Sequence, residues 1–161
     1  KYVLVEVDVF KVEPDHELYA HMNVNYMRME NIPRFEDGWQ SLLDTLRGGR
    51  FFVTTGEILI PEFTINGARS GELAKLTENQ MAKVRIQLKW TFPLAYAEII
   101  TGDGKNIKRQ RLDLTTTNSF GDKTLTLDMN LAGQKWVRLE AWDIATNGAF
   151  TQPVWLQPAG R

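Results

Sequence analysis

Residues 81 to 90 alternate without a break. Ala82, Val84, Ile86, Leu88 and Trp90 form one row, and Lys83, Arg85, Gln87 and Lys89 form the other. A period of two means an extended strand with one dry face and one wet face. A strand cannot bury its dry face alone, so this stretch commits the chain to a sheet packed against a second layer. The same pattern recurs from about Glu57 onward. Glu57–Ile60 and Glu62–Asn66 read as short strands around Pro61. Leu94–Thr101 and Ile107–Leu114 face each other across Gly102-Asp103-Gly104-Lys105, a hairpin signal because Asp-Gly accepts the positive φ of such turns. Leu125, Leu127, Met129 and Leu131 mark another strand, Val137, Leu139 and Ala141 the next, and Val154–Leu156 the last. Short antiparallel strands at this density over roughly a hundred residues predict an immunoglobulin-like β-sandwich.

Residues 1–56 follow a different grammar. Tyr2–Phe10 alternates, with Val3, Val5, Val7 and Val9 in one row, and Met22–Glu30 reads as a second strand. One clear helix is expected at about residues 38–47, because Trp39, Leu42, Leu43 and Leu46 fall at i, i+3, i+4 and i+7. Asp37 suits its N-cap, with Gln40 as capping-box partner, and Gly48-Gly49 its C-terminus. Arg50–Thr54 then reads as a strand. The expected organisation is therefore mainly β: a small α+β segment over 1–56 and a β-sandwich over 57–161.

Composition removes several functions. The 161 residues are 43% hydrophobic and 24% charged, enough for a real core but too few for a complete α/β barrel. Lys+Arg number 19 and Asp+Glu 20, a formal net charge of -1, which provides no attraction to nucleic acid. No apolar run approaches the ~18 residues of a membrane-spanning helix. The absence of Cys excludes disulfides, thiol catalysis and zinc–thiolate sites. Ser41, Ser70 and Ser119 stand in no G-x-S-x-G context. No catalytic residue is assigned within this chain.

Two groups of residues carry possible site chemistry. Asp8, Asp15, His16, Glu17 and His21 bring carboxylate and imidazole donors together within a short stretch, the ligand types of zinc, manganese or iron. Asp8, His16 and His21 are the metal candidates. They lack a His-Glu-x-x-His motif, and the two His are five positions apart, so solvated loop residues are the competing reading. Trp136 and Trp142 are the binding candidates, because they share a strand face with Arg138 and Glu140, whereas Trp90 and Trp155 sit among core residues. Exposed indoles can stack on sugar rings. Gly102-Asp103-Gly104-Lys105 lacks the spacing of a phosphate or calcium loop and reads as a turn. Lys108, Arg109 and Arg111 read as a solvated face.

The stretch Thr45-Leu46-Arg47-Gly48-Gly49-Arg50-Phe51-Phe52-Val53-Thr54-Thr55-Gly56-Glu57 resembles the segment that follows the metal-binding barrel in the polymerase and histidinol phosphatase (PHP) superfamily, in its carbaryl-hydrolase-like branch. Asn25-Tyr26-Met27-Arg28-Met29, Arg138-Leu139-Glu140-Ala141-Trp142-Asp143 and Phe150-Thr151-Gln152-Pro153-Val154-Trp155-Leu156 resemble further stretches of that branch. The resemblance implies the tail of a barrel-bearing, metal-dependent hydrolase followed by an appended sandwich. It implies an upstream barrel of the same polypeptide as partner and a divalent metal in the intact parent, with none bound by this piece alone. The family's early His-x-His pair is missing. Its late Asp-x-His corresponds here to Asp8-Val9-Phe10, with Asp15-His16 or His21 as alternatives. The competing expectation is a free-standing binding or interaction module, such as a carbohydrate-binding or cell-surface sandwich.

Overall fold

The structure, a computed structural model, describes residues 1–5, 23–77 and 79–158. It is mainly β, with two sheets facing each other and one α-helix. The larger sheet contains β1 (Val24–Met27), β2 (Phe51–Thr54), β5 (Leu73–Lys75), β7 (Leu94–Gly102), β8 (Ile107–Asp113), β10 (Trp136–Asp143), β11 (Gly148–Thr151) and β12 (Val154–Gln157). The smaller has β3 (Ile58–Ile65), β4 (Ala68–Arg69), β6 (Met81–Trp90) and β9 (Gly121–Asn130), in the order β4-β3-β6-β9. The order supports a sandwich but does not by itself make the fold immunoglobulin-like.

Strand β10 is the hub of the larger sheet. One edge pairs with β7 along its length, and the other with β11 and then β12. β2 and β1 continue outward from β11, β8 extends the opposite side, and β5 runs parallel to β12. The ladder β6–β9 runs unbroken from Met81↔Asn130 to Trp90↔Gly121, as the alternation of β6 requires. Val84, Ile86 and Leu88 from β6 meet Ile99, Val137 and Leu139 from the other sheet in one apolar cluster. Each such fully buried side chain contributes ~1.5–3 kcal/mol relative to exposure.

Pro61 does not separate two strands, as expected, but bends one. β3 runs through it, and the register against β6 shifts between Leu59 and Glu62. The buried apolar positions are Ile58, Ile60, Phe63 and Ile65, so the alternation slips by one across the shift, and Thr64 is buried as well. Proline has no N–H for the ladder, so a bulge is where a strand can hold it.

The expected division at residue 56 falls in the turn where the chain passes from β2 to β3, and therefore from one sheet to the other. β2 is itself paired with β11 through Thr54↔Ala149, Val53↔Phe150 and Phe52↔Thr151. The described part of residues 1–56 thus shares a sheet with the remainder.

Three local expectations are corrected. Helix α1 spans Gln40–Arg47 with Trp39 at its N-cap and no side-chain cap. Asp37 belongs instead to a preceding 3₁₀ turn, where its carboxylate accepts the Arg34 backbone N–H at 2.9 Å. Of the expected strand Tyr2–Phe10, residues 6–10 lie outside the described residues, and residues 1–5 are in no ladder. Their backbone is held by side-chain amides: Gln152 takes the N–H and carbonyl of Val3 at 2.9 and 2.8 Å, and Asn25 those of Val5 at 3.3 and 2.7 Å. A side-chain amide carries N–H donors beside a carbonyl acceptor, so each imitates a single residue of a neighbouring strand. Trp155 is half-buried, and its indole N–H donates to the Tyr2 hydroxyl at 3.1 Å. No helix among the described residues is long and apolar enough to cross a membrane.

Candidate functional site

Alternation along β10 sends Val137, Leu139 and Ala141 into the core and turns Trp136, Arg138, Glu140 and Trp142 outward. All four outward residues are half-buried. The ladder with β7 places Gly102 beside Trp136, Ile100 beside Arg138, Glu98 beside Glu140 and Tyr96 beside Trp142. The glycines explain how the indoles lie. A Cβ on Gly102 would come within 2.4 Å of the Trp136 ring, and one on Gly148 within 2.7 Å of the Trp142 ring. Each indole therefore lies across a glycine of the neighbouring strand. Six residue steps along the strand separate the two, about 20 Å at ~3.3 Å per residue.

Between the indoles lies a charge network. Glu98 and Glu140 are directly opposed across the ladder, an arrangement that is repulsive unless bridged. Arg109 on β8 bridges them, at 2.6 Å from Glu98 and 3.6 Å from Glu140, and Arg138 also bonds Glu140. The Arg111 guanidinium stacks over the Tyr96 ring at 3.8 Å. The basic strip on β8 is a solvated face, as expected: Lys108, Arg109 and Arg111 are exposed, with Arg109 paired to Glu98 and Arg111 stacked on Tyr96. Sequence reading found Trp136, Arg138, Glu140 and Trp142 together from the period of two. It missed Glu98 and Tyr96, which join the face only through strand pairing.

The hairpin loop behaves as a turn. Asp103 accepts backbone N–H groups of Lys105 and Asn106, both at 2.7 Å, and these bonds lower its pKa from 3.8 to about 2. The metal candidates Asp8, His16 and His21 lie outside the described residues, as do Asp15 and Glu17. Among the described residues, no group of three or more His, Asp or Glu could hold a metal ion. Comparison with protein-family models, curated proteins and solved structures gives no match.

Proposed function

We propose that this chain is the C-terminal part of a PHP-type metal-dependent hydrolase, an accessory β-sandwich that is not catalytic alone. The observation that carries the reading is an apolar surface left uncovered. Trp39 is 70% exposed and Leu43 42%, on the apolar face of α1. Val3, Leu4 and Phe35 are exposed as well. An apolar surface of this kind marks a contact with a partner, and the partner proposed is an upstream barrel of the same polypeptide.

The test is to extend the reading frame upstream of Lys1 and express both forms. The longer form is expected to contain a His-x-His strand in a βα-rich region and to hydrolyse phosphoesters or esters when given manganese or zinc. The 161-residue chain alone is expected to hydrolyse nothing. Turnover by the short chain, or an upstream region without that motif, overturns the reading.

A second reading is a non-enzymatic binding module, favoured by the flat placement of Trp136 and Trp142 on one sheet face. It predicts glycan binding that Trp142→Ala abolishes, and the hydrolase reading predicts none.

A further inference from the structure

Where the β1–β2 edge overhangs β3 and β4, the two sheets leave a cavity of about 240 Å³. Tyr26, Phe52 and Phe63 supply apolar wall, with the Tyr26 and Phe52 rings stacked at 5.1 Å. Arg28, Arg50 and Arg69 also line it. Against these three guanidinium groups the lining contains one carboxylate, Glu62, which Arg85 already holds at 2.7 Å. The same three arginines line the adjoining hollow beside α1, where Glu30, Asp44 and Glu72 balance them, so the uncompensated positive charge is on the cavity side.

The arginines come from three separate stretches, brought together by backbone contacts. The N–H of Arg28 donates to the carbonyl of Arg50 at 2.8 Å, so these two residues close the β1–β2 ladder. Arg69 ends β4, and the β4–β5 turn that follows it presses on the end of α1 at Gly71. A Cβ on Gly71 would stand 1.8 Å from the Gly48 carbonyl oxygen, and its φ is +84°. Only glycine permits that approach. Glu72 then fixes the group from behind. One of its oxygens takes the Arg28 guanidinium at 2.7 Å, and the other accepts the Arg69 backbone N–H at 2.8 Å. Among the described residues, Arg50 and Arg69 form no ion pair.

We propose that this cavity binds a small organic anion, with a carboxylate or phosphate head on an apolar body about the size of one ring. The planar, always-charged fork of arginine matches such oxyanions, and a cavity with apolar walls beside it selects for a hydrophobic body. The body sits against Tyr26, Phe52 and Phe63, and the head faces the guanidinium groups. This site uses only residues of the described chain and needs no upstream domain, so it stands or falls apart from the hydrolase reading.

The experiment is a calorimetric and amide-NMR titration of the 161-residue chain with phenyl phosphate, phenylacetate, inorganic phosphate and benzyl alcohol. Saturable binding of at least one ring-bearing anion is expected, with shifts at Phe52 and Arg69. Whichever of the two binds more tightly identifies the head group. Inorganic phosphate and benzyl alcohol should each bind at least about tenfold more weakly, because each lacks one half of the recognised chemistry. Arg50→Met and Arg69→Met should each weaken the ring-bearing anion by about tenfold or more, with Arg50→Lys intermediate. Both side chains are exposed, so thermal melting should confirm that the variants remain folded. No saturation with either ring-bearing anion, equal binding of benzyl alcohol or of inorganic phosphate, or an Arg50→Met/Arg69→Met chain that binds undiminished overturns the proposal.

Discussion

Residues 51–158 and the described residues before them treat hydrophobic side chains in opposite ways. Among the described residues, every buried hydrophobic side chain lies at Phe51 or beyond. Before Phe51, the apolar residues of α1 and β1 are exposed or half-buried, although the helix has the amphipathic spacing of a packed one. An eight-residue helix has little stability of its own and depends on tertiary contact. The comparison teaches that apolar patterning states what a segment is built to bury, whereas the chain in hand decides whether it does. The sandwich buries a core of its own, although Leu73, Phe92, Ile107, Phe120 and Ile144 stay exposed on it; the described segment before it buries no hydrophobic side chain.

The largest expected effect tests the sandwich side. Leu139 is 0% exposed and belongs to the cluster joining the two sheets. Leu139→Ala should lower unfolding free energy by ~2–5 kcal/mol in urea denaturation, through lost burial and the cavity left behind. A cost below about 1 kcal/mol would mean that the sheets are not packed through β10.

Gly71→Ala tests the seam between the two regions, where the β4–β5 turn meets the end of α1. The substitution adds a left-handed backbone penalty of ~1–3 kcal/mol and a collision with a carbonyl that has no flexible end to move. The expected result is a destabilised chain in which amides of α1 exchange faster than those of β6. Unchanged exchange in α1 would show that this contact does not hold the helix.

How much of this was legible in sequence follows from the kind of contact involved. Strands β6, β7, β8 and β9 were readable because their signals are local: an unbroken period of two and an Asp-Gly turn. Strands β4 and β5 were missed because Ala68–Arg69 and Leu73–Lys75 are too short to show a period and exist only through pairing with β3 and β12. β11 was missed for the same reason, its four residues gaining strand character from β10 and β2. Pro61 misled because proline signals a break, and whether a break becomes a bulge depends on the partner strand. The same rule governs the sites. Trp136 and Trp142 were legible because one strand carries both, whereas Arg28, Arg50 and Arg69 meet through the β1–β2 pairing, Glu72 and a glycine contact, none of which has a sequence period.

Trp39→Ala sharpens the comparison from the other side. In this chain the indole is mostly exposed, so its removal should change unfolding free energy by no more than ~0.5 kcal/mol. In an upstream-extended polypeptide where the proposed barrel covers α1, the same change should cost ~3 kcal/mol or more. Equal costs in the two forms would break the partner reading, and a large cost in the short chain would erase the contrast between the regions.

The smallest effect concerns Asp103, which shows that the sandwich side is ordered even at the tip of a hairpin. Its carboxylate accepts two backbone N–H bonds within its own turn, and the Asn106 side-chain amide adds a third at 3.2 Å. These bonds favour the charged form, so the folded chain releases this proton more readily than the unfolded chain, whose value is the ordinary 3.8. The stabilisation is therefore complete above about pH 4 and is lost as pH falls through about 2. A carboxyl-carbon NMR titration should place the Asp103 midpoint near 2, with the Lys105 and Asn106 amide shifts following the same curve. Asp103→Asn retains an acceptor oxygen and should remove that pH dependence while leaving the hairpin formed. A midpoint at the ordinary 3.8 would show that the turn is not held by its own backbone, and the exposed tip of the sandwich would then be no better ordered than the surface of α1.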